Sequence, residues 1–366
     1  MELNTYHNNI RMLNRARILD DIYDLANEGI VPYGTALHAT EYLRKEKELL
    51  PWLTILKRWR YIEAMLYSGD VMEKWKLFVT RLLIHHIHSF KWSFIAENST
   101  KRFMRISNVG SLLYPLRRLL SFYACFLYTF MRFRKLRALH YEWACRYRYG
   151  PCVIEARHAF ELYKSSPAGA KSLLPEHQVT VFCTVVEDGG MSVWQFLYNQ
   201  LKYVSSSTER TNIIIALGCS QSRSTIYRYL HEFSSRHVHI VPRIFSEISN
   251  RNGFGKAVAV DFILDNWKTL KKLHQKKFTD ILFAVFSNVN TAAGLSNVNS
   301  LYNEGIVVLK GARWAFDRIK RKAQKNIKWM GDHYGAIARW LKRDVTEFIL
   351  DDQRLRGNIS AAVEDD

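Results

Sequence analysis

Strand-type alternation of apolar and polar residues is scarce in this sequence, which argues against a sheet-built core. No apolar run is long enough to cross a bilayer as a helix. The best candidate, LLSFYACFLYTFM at residues 119–131, has 13 residues, against the roughly 20 that a span needs. Arg117 and Arg118 precede it, and Arg132, Arg134 and Lys135 follow. A buried helix is the plainer reading of this run, and an interfacial, membrane-associated helix is the alternative. The amino-terminal MELNTYHNNIRMLNRAR is polar, with no central apolar stretch, so no secretory signal is visible. Acidic residues are also short: 34 Asp and Glu against 53 Lys and Arg leave a formal charge of +19.

Catalytic signatures are missing as well. H-E-x-x-H puts two imidazoles on one helical face with a glutamate placed to activate a zinc-bound water, and the sequence does not contain it. The nearest approach is His231 and Glu232 with His237. Six residues turn a helix by roughly 600°, so those two histidines point in different directions. G-x-S-x-G is absent, and Gly253-Phe254-Gly255-Lys256 lacks both the preceding strand and the spacing of a phosphate-binding loop. His85, His86 and His88 form the one histidine cluster; His85 and His88 could share a metal only with a third donor, and none is identifiable.

What the sequence does contain is helical periodicity. Its 366 residues exceed one ordinary compact domain, and amphipathic segments with short polar breaks recur along nearly all of it. Residues 14–52 show the pattern best. Ile18, Ile22 and Leu25 recur at spacings of three and four, Gly29 and Pro32 stop that pattern, and Ala36, Leu37, Ala39, Tyr42 and Leu43 begin another. The spacing predicts helix pairs 12–27 with 33–46, 51–67 with 71–89, 139–148 with 151–164, and 175–187 with 190–203. Further pairs follow at 208–219 with 222–233, 240–250 with 254–270, 278–287 with 295–303, and 308–328 with 331–350. Residues 351–366 read as a polar, partly disordered tail.

A hydrophobic share of 48% with 13% aromatics supports a folded core. Basic residues concentrate at 101–150 and 310–329. In the latter, Ala312, Ala315, Phe316, Ile319 and Ala323 form one apolar stripe, leaving Arg318, Arg321, Lys322 and Lys325 on the other side. A solvated outer face accounts for this better than a polyanion site, so nucleic acid is disfavoured as a partner.

The order of short landmarks carries a resemblance. Asn14, Arg15, Ile18, Asp20, Asp21, Leu25, Ala26, Pro51 and Trp52 come first, then Gly189-Gly190 with Trp194. ALGCS at 216–220, YRYL at 227–230 with Arg228, AVDFILDNW at 259–267 with Asn266 and Trp267, and NIKWM at 326–330 with Asn326 and Trp329 follow. In this order they resemble the C-terminal helical domain of zinc aminopeptidases of the aminopeptidase N and endoplasmic-reticulum aminopeptidase type.

The resemblance implies an all-α fold, an α-solenoid of HEAT-like helix hairpins over residues 1–350. It implies disulfides Cys145 to Cys152 and Cys183 to Cys219, leaving Cys125 unpaired; on cysteine count alone, free buried thiols are the reading. Trp52, Trp194, Trp267 and Trp329 are expected in the core near helix ends, and Arg228 and Asn266 are expected to anchor helix ends. The family's zinc sits in a separate catalytic domain, so no cofactor is expected here. The implied partners are that domain, in cis or in trans, and peptides whose access the helices limit; a second copy of the chain is a further candidate.

Paired cysteines and the sequon Asn98-Ser99-Thr100, a glycosylation candidate, fit an extracellular or lumenal site in a full-length ectoenzyme. With no signal sequence visible, the chain is expected to be part of a longer product, and a stand-alone cytoplasmic protein is the second reading. Residues 98–138 exceed the short connection of the family pattern and read as an insertion or as non-native sequence. Two other functions stand beside the leading one: a basic helical scaffold for an acidic partner or nucleic acid, and an inactive decoy that pairs with a full-length aminopeptidase.

Overall fold

The computed structural model describes residues 2–66, 69–89, 116–165, 173–236, 240–251, 253–305 and 309–363. Among them the chain is all-α, with no strand. The helices are α1 (Glu2–Tyr6), α2 (Met12–Asn27), α3 (Tyr33–Ala39), α4 (Leu49–Leu66), α5 (Asp70–Ser89), α6 (Leu116–Arg146), α7 (Gly150–Ser165) and α8 (Pro175–Gln200). They continue with α9 (Ser207–Leu217), α10 (Arg223–Arg236), α11 (Val241–Arg251), α12 (Gly253–His274), α13 (Phe278–Phe286), α14 (Ala292–Glu304) and α15 (Arg313–Val363).

These helices gather into two compact units. One comprises residues 1–46, 50–82 and 285–366; the other comprises 47–49 and 83–284. In the first unit α2 packs on α3, and α14 and α3 both pack on α15, so the first hairpin meets the last helix. In the second, α8 packs against α6, α7 and α9, α11 against α12, and α10 against α12.

The hairpin that opens the chain ends its first helix as the sequence indicates. Gly29 takes φ +74°, its N–H bonds the Ala26 carbonyl at 3.1 Å, and the Ile30 N–H bonds Leu25 at 2.9 Å. This is the Schellman closure that glycine favours. The buried side of α2 differs from the expected one. Arg15, Ala16, Leu19, Tyr23 and Ala26 are buried, Ile18 and Ile22 are half-buried, and Leu25 is 40% exposed. The stripe is turned by one residue because Arg15 and Tyr23 find buried hydrogen-bond partners and so enter the core. All five apolar residues of the second pattern, Ala36, Leu37, Ala39, Tyr42 and Leu43, are buried, although the segment is a short helix followed by a 3-10 turn, Glu41–Lys45.

Two boundaries also differ. The helix expected at 139–148 is the end of α6, which begins at Leu116. The last two expected helices are one, α15, which runs through Gly331 and past residue 350 to Val363. A glycine inside a helix costs only about 1 kcal/mol. Here Ile337 and Leu341, four residues apart on one side of the helix, are buried beyond it, which outweighs that cost.

Asn98 and the first part of the 98–138 segment lie outside the described residues. The backbone of residues 119–131 is helical within α6, and among the described residues no helix is long and apolar enough to cross a membrane.

Candidate functional site

In the first unit several landmark residues join a polar frame that is buried around Arg15, Trp52, Asn326 and Trp329. Arg15 lies under the chain and meets the Glu46 carboxylate twice, Nε to Oε2 at 2.6 Å and an Nη to Oε1 at 2.9 Å. It also donates to the carbonyls of His7 at 3.2 Å and Ile10 at 2.5 Å. A buried guanidinium needs such a fork of acceptors. Asn14 is exposed beside it. Asp20 and Asp24 on α2 both grip Arg58 of α4, at 2.7 Å and 2.5 Å, whereas Asp21 faces solvent near Arg17 at 3.6 Å. Pro51 is buried in the first turn of α4, and Trp52, fully buried, donates its indole N–H to the Glu46 carbonyl at 3.0 Å.

Asn326 joins three segments. Its amide donates to the carbonyls of Ser287 at 3.1 Å and Val289 at 2.9 Å, and its oxygen accepts from the Tyr61 hydroxyl at 3.1 Å. One turn on, Trp329 donates to the Tyr33 hydroxyl at 2.9 Å. Burial is the leading cause that raises the Tyr33 hydroxyl above its usual range, although the Trp329 hydrogen bond pulls it down. Trp329 therefore anchors the middle of α15, not an end.

The second unit carries both disulfides. Cys145 joins Cys152 across the α6–α7 turn, and Cys183 joins Cys219, tying α8 to the end of α9. Inside the first loop Arg148 takes φ +63°, an uncommon conformation for a residue with a side chain. Arg148 and Arg157 bind Asp188, the latter at 2.9 Å, and Arg251 binds Glu187 at 2.7 Å. Burial raises the Asp188 carboxyl, but the hydrogen bonds and charge of the two arginines outweigh it and leave the group below the usual carboxylate range.

Immediately after this cluster Gly190 takes φ +59° and ψ −150°, which only glycine adopts readily, and α8 kinks there. Both halves of the kinked helix reach the end of α9. The first half does so through Cys183 to Cys219, and the second through the Trp194 indole, which donates to the Leu217 carbonyl at 3.0 Å. Arg228 does not cap a helix: its guanidinium lies over the Trp194 ring at 4.9 Å. Asn266 donates to Phe262 of its own helix at 3.0 Å, and Trp267 is buried in mid-helix.

Beyond the kink the structure forms a cleft of about 200 Å³ that sequence reasoning missed. Ile214 and Phe233, both 2% exposed, supply buried apolar lining, with the half-buried Tyr198 and Leu201. Lys202, Arg210 and Glu232 add charge. Three helices and a loop contribute these residues. No spacing within one segment announces them.

The histidine cluster separates. The His86 ring faces the fully buried His140 at 5.0 Å, while His88 hydrogen-bonds the Tyr149 hydroxyl at 3.1 Å. Burial holds His140 well below the usual histidine range. His231 sits near Phe262 at 6.1 Å, and His237 lies outside the described residues. Among the described residues no three His, Cys, Asp or Glu side chains are grouped to hold a metal ion. Gly253-Phe254-Gly255-Lys256 opens α12, with Gly255 buried against the Ile248 carbonyl; burial lowers Lys256 to about 8.

Comparison with known proteins gives this frame a family. The chain is 23% identical over 347 residues to Aminopeptidase N of Canis lupus familiaris, covering 92% of this chain and 32% of that protein. It is 24% identical over 353 residues to Aminopeptidase N of Homo sapiens, covering 93% and 33%, and 23% identical over 353 residues to Endoplasmic reticulum aminopeptidase 1 of Rattus norvegicus, covering 94% and 34%. The chain thus spans about a third of the length of these relatives. A family model, the ERAP1-like C-terminal domain, matches residues 1–115 and 130–325 and passes over 116–129, inside α6. The match covers far more than half of the sequence, and the chain belongs to the family of ERAP1-like C-terminal domains.

Proposed function

We propose that this chain is the non-catalytic helical domain of an aminopeptidase-type protein, and that it closes over a catalytic domain and limits which peptides reach it. The observation that supports this most directly is the family match along nearly the whole chain, combined with coverage of only about a third of each relative. The chemistry belongs to a domain outside this sequence. Zinc and the residues that bind it would be supplied there, while this chain would contribute packed helix pairs that limit the size of the opening. The disulfides support an oxidising location, on the extracellular or lumenal side of a membrane.

The test separates the chain from its context. Purified chain, incubated with zinc and an aminoacyl fluorogenic amide, is expected to release no fluorophore above a chelated control. Antibodies raised against it are expected to precipitate, from the native source, a polypeptide with chelator-sensitive aminopeptidase activity. Denaturing gels then show whether the catalytic domain lies in the same chain or on a partner. Turnover by the isolated chain, or precipitates without activity, would refute the proposal.

A further inference from the structure

We propose that the exposed face of α15 from Arg321 to Lys328 binds a linear sulfated polysaccharide. Between Asp317 and Asp332 this helix carries six cations, Arg318, Lys320, Arg321, Lys322, Lys325 and Lys328, and no acid. Other helices of the chain pair surface cations with an acid three or four residues away: Arg17 with Asp21 on α2, Lys76 with Glu73 on α5, and Arg243 with Glu247 on α11. One turn before the run, Arg313 has Asp317 at 3.8 Å. Within it, Arg321, Lys325 and Lys328 are exposed, and none of the three is in an ion pair among the described residues. Arg318 is engaged elsewhere and Lys320 lies over the Tyr302 ring at 4.9 Å, so neither is counted. Like charges at spacings of three and four destabilise a helix, a cost that a merely solvated face does not require.

The three cations fall four and three residues apart, so they line one side of the helix over roughly 10 Å at 1.5 Å per residue. Ile319, Ala323 and Asn326 are buried on the side turned away, and α3 and α14 pack on α15, so the row is in place before anything binds. A row of point charges on a straight helix suits a chain that carries one anion after another. Anionic lipid fits less well. The apolar side that an interfacial helix buries in lipid is already buried in the protein, and the negative leaflet of a membrane is the cytoplasmic one. The disulfides support the opposite side, where a sulfated polysaccharide is also a better occupant than nucleic acid. The choice of occupant rests on the proposed function for this location only. Binding by the purified chain needs no peptidase activity, so either reading can fail without the other.

The experiment is titration of the purified full chain with size-defined heparin oligosaccharides over a series of salt concentrations. Saturable binding is expected, with the logarithm of affinity falling linearly against the logarithm of salt. At about 0.7 per neutralised charge, the row contributes about 2 to that slope. The combined Arg321→Gln, Lys325→Gln and Lys328→Gln variant should lose about that much slope and bind about tenfold or more weaker at moderate salt. It should melt no lower than the wild type, because like-charge pairs are removed. A control variant, Lys272→Gln, Lys276→Gln and Lys277→Gln at the end of α12 and the turn after it, lowers the net charge equally and should bind like the wild type. The proposal is overturned by an absence of saturable binding at low salt, by desulfated heparin that binds as well, or by a control variant that loses as much as the α15 variant. It is equally overturned if phosphatidylserine vesicles or a DNA duplex bind as tightly as heparin at the same salt and through the same three residues.

Discussion

Asn326→Asp changes one atom type in the first unit and no shape. In the native chain the amide nitrogen donates to the Ser287 and Val289 carbonyls at 3.1 Å and 2.9 Å, and Asn326 is 2% exposed. Aspartate puts an acceptor where both carbonyls need a donor. Each lost hydrogen bond removes about 1 kcal/mol, and a buried carbonyl left without a donor costs roughly 1–3 kcal/mol. Val289 is buried and Ser287 half-buried, so the second penalty applies in full to one of the two carbonyls. The expected loss is about 3 kcal/mol at pH 7, large for a single substitution. Acid should return part of it, because a protonated carboxyl can donate to one carbonyl. The introduced carboxyl would have its folded pKa raised above its unfolded value. The restored stability is therefore present at low pH and lost as pH rises through the folded value. Because the chain has two compact units, a single unfolding transition cannot be assumed. Amide exchange read along α15 and residues 285–291 gives the local free energy at pH 7 and pH 4. Protection within about 0.5 kcal/mol of the wild type at pH 7, or the same deficit at both pH values, would show that the Asn326 contacts do not hold these segments together.

Two further perturbations test the second unit. His177, in the first turn of α8, is buried against the Tyr141 ring, and burial, aided by the charges of Arg137 and Arg134, lowers it from 6.5 to about 3. Its unfolded form takes a proton below pH 6.5 while the folded form does not, so stability should fall between pH 6.5 and 3. At ~1.4 kcal/mol per unit the loss approaches roughly 5 kcal/mol; His177→Gln should flatten that slope, an NMR titration of the ring should stay flat above pH 4, and a midpoint near 6 would disprove the assignment. For the disulfides, chain-entropy scaling with separations of 7 and 36 residues gives roughly 2.4 and 3.8 kcal/mol. The paired Cys183→Ala and Cys219→Ala variant should lose more in urea unfolding than the paired Cys145→Ala and Cys152→Ala variant, and the reverse order would mean that native-state contacts, not loop closure, set the balance.

The places where sequence and structure part company share a cause. Ala36, Leu37, Ala39, Tyr42 and Leu43 were legible because each contributes by apolar burial alone, which periodicity measures. The apolar period of α2 lies one residue out of phase with its buried side because two of its buried residues are polar. Arg15 is paid for by Glu46, 31 residues away, and Tyr23 accepts the Trp59 indole N–H at 2.9 Å. A period counted over apolar residues assigns both to solvent, and only the partner's position reverses that. The same limit applies to Gly331, where the balance between one glycine and the apolar surface beyond it depends on what α15 packs against.

The second unit shows where the limit becomes functional. Gly189-Gly190 and Trp194 stand out in the sequence, and the structure places there a kink whose two arms are both fastened to the end of α9. Fastening both arms fixes the second half of α8, and with it Tyr198, relative to Ile214 and the neighbouring helix that carries Glu232 and Phe233. The landmarks thus build the frame, and the cleft is a consequence of it lined by residues that no landmark includes. A relative could keep the glycines, the tryptophan and the disulfide while changing Lys202, Arg210 or Glu232, since none of these three is needed to hold the kink. The residues that mark the family and the residues that line the cleft are therefore separate sets in this chain, and only the first set has a spacing that a single sequence can reveal.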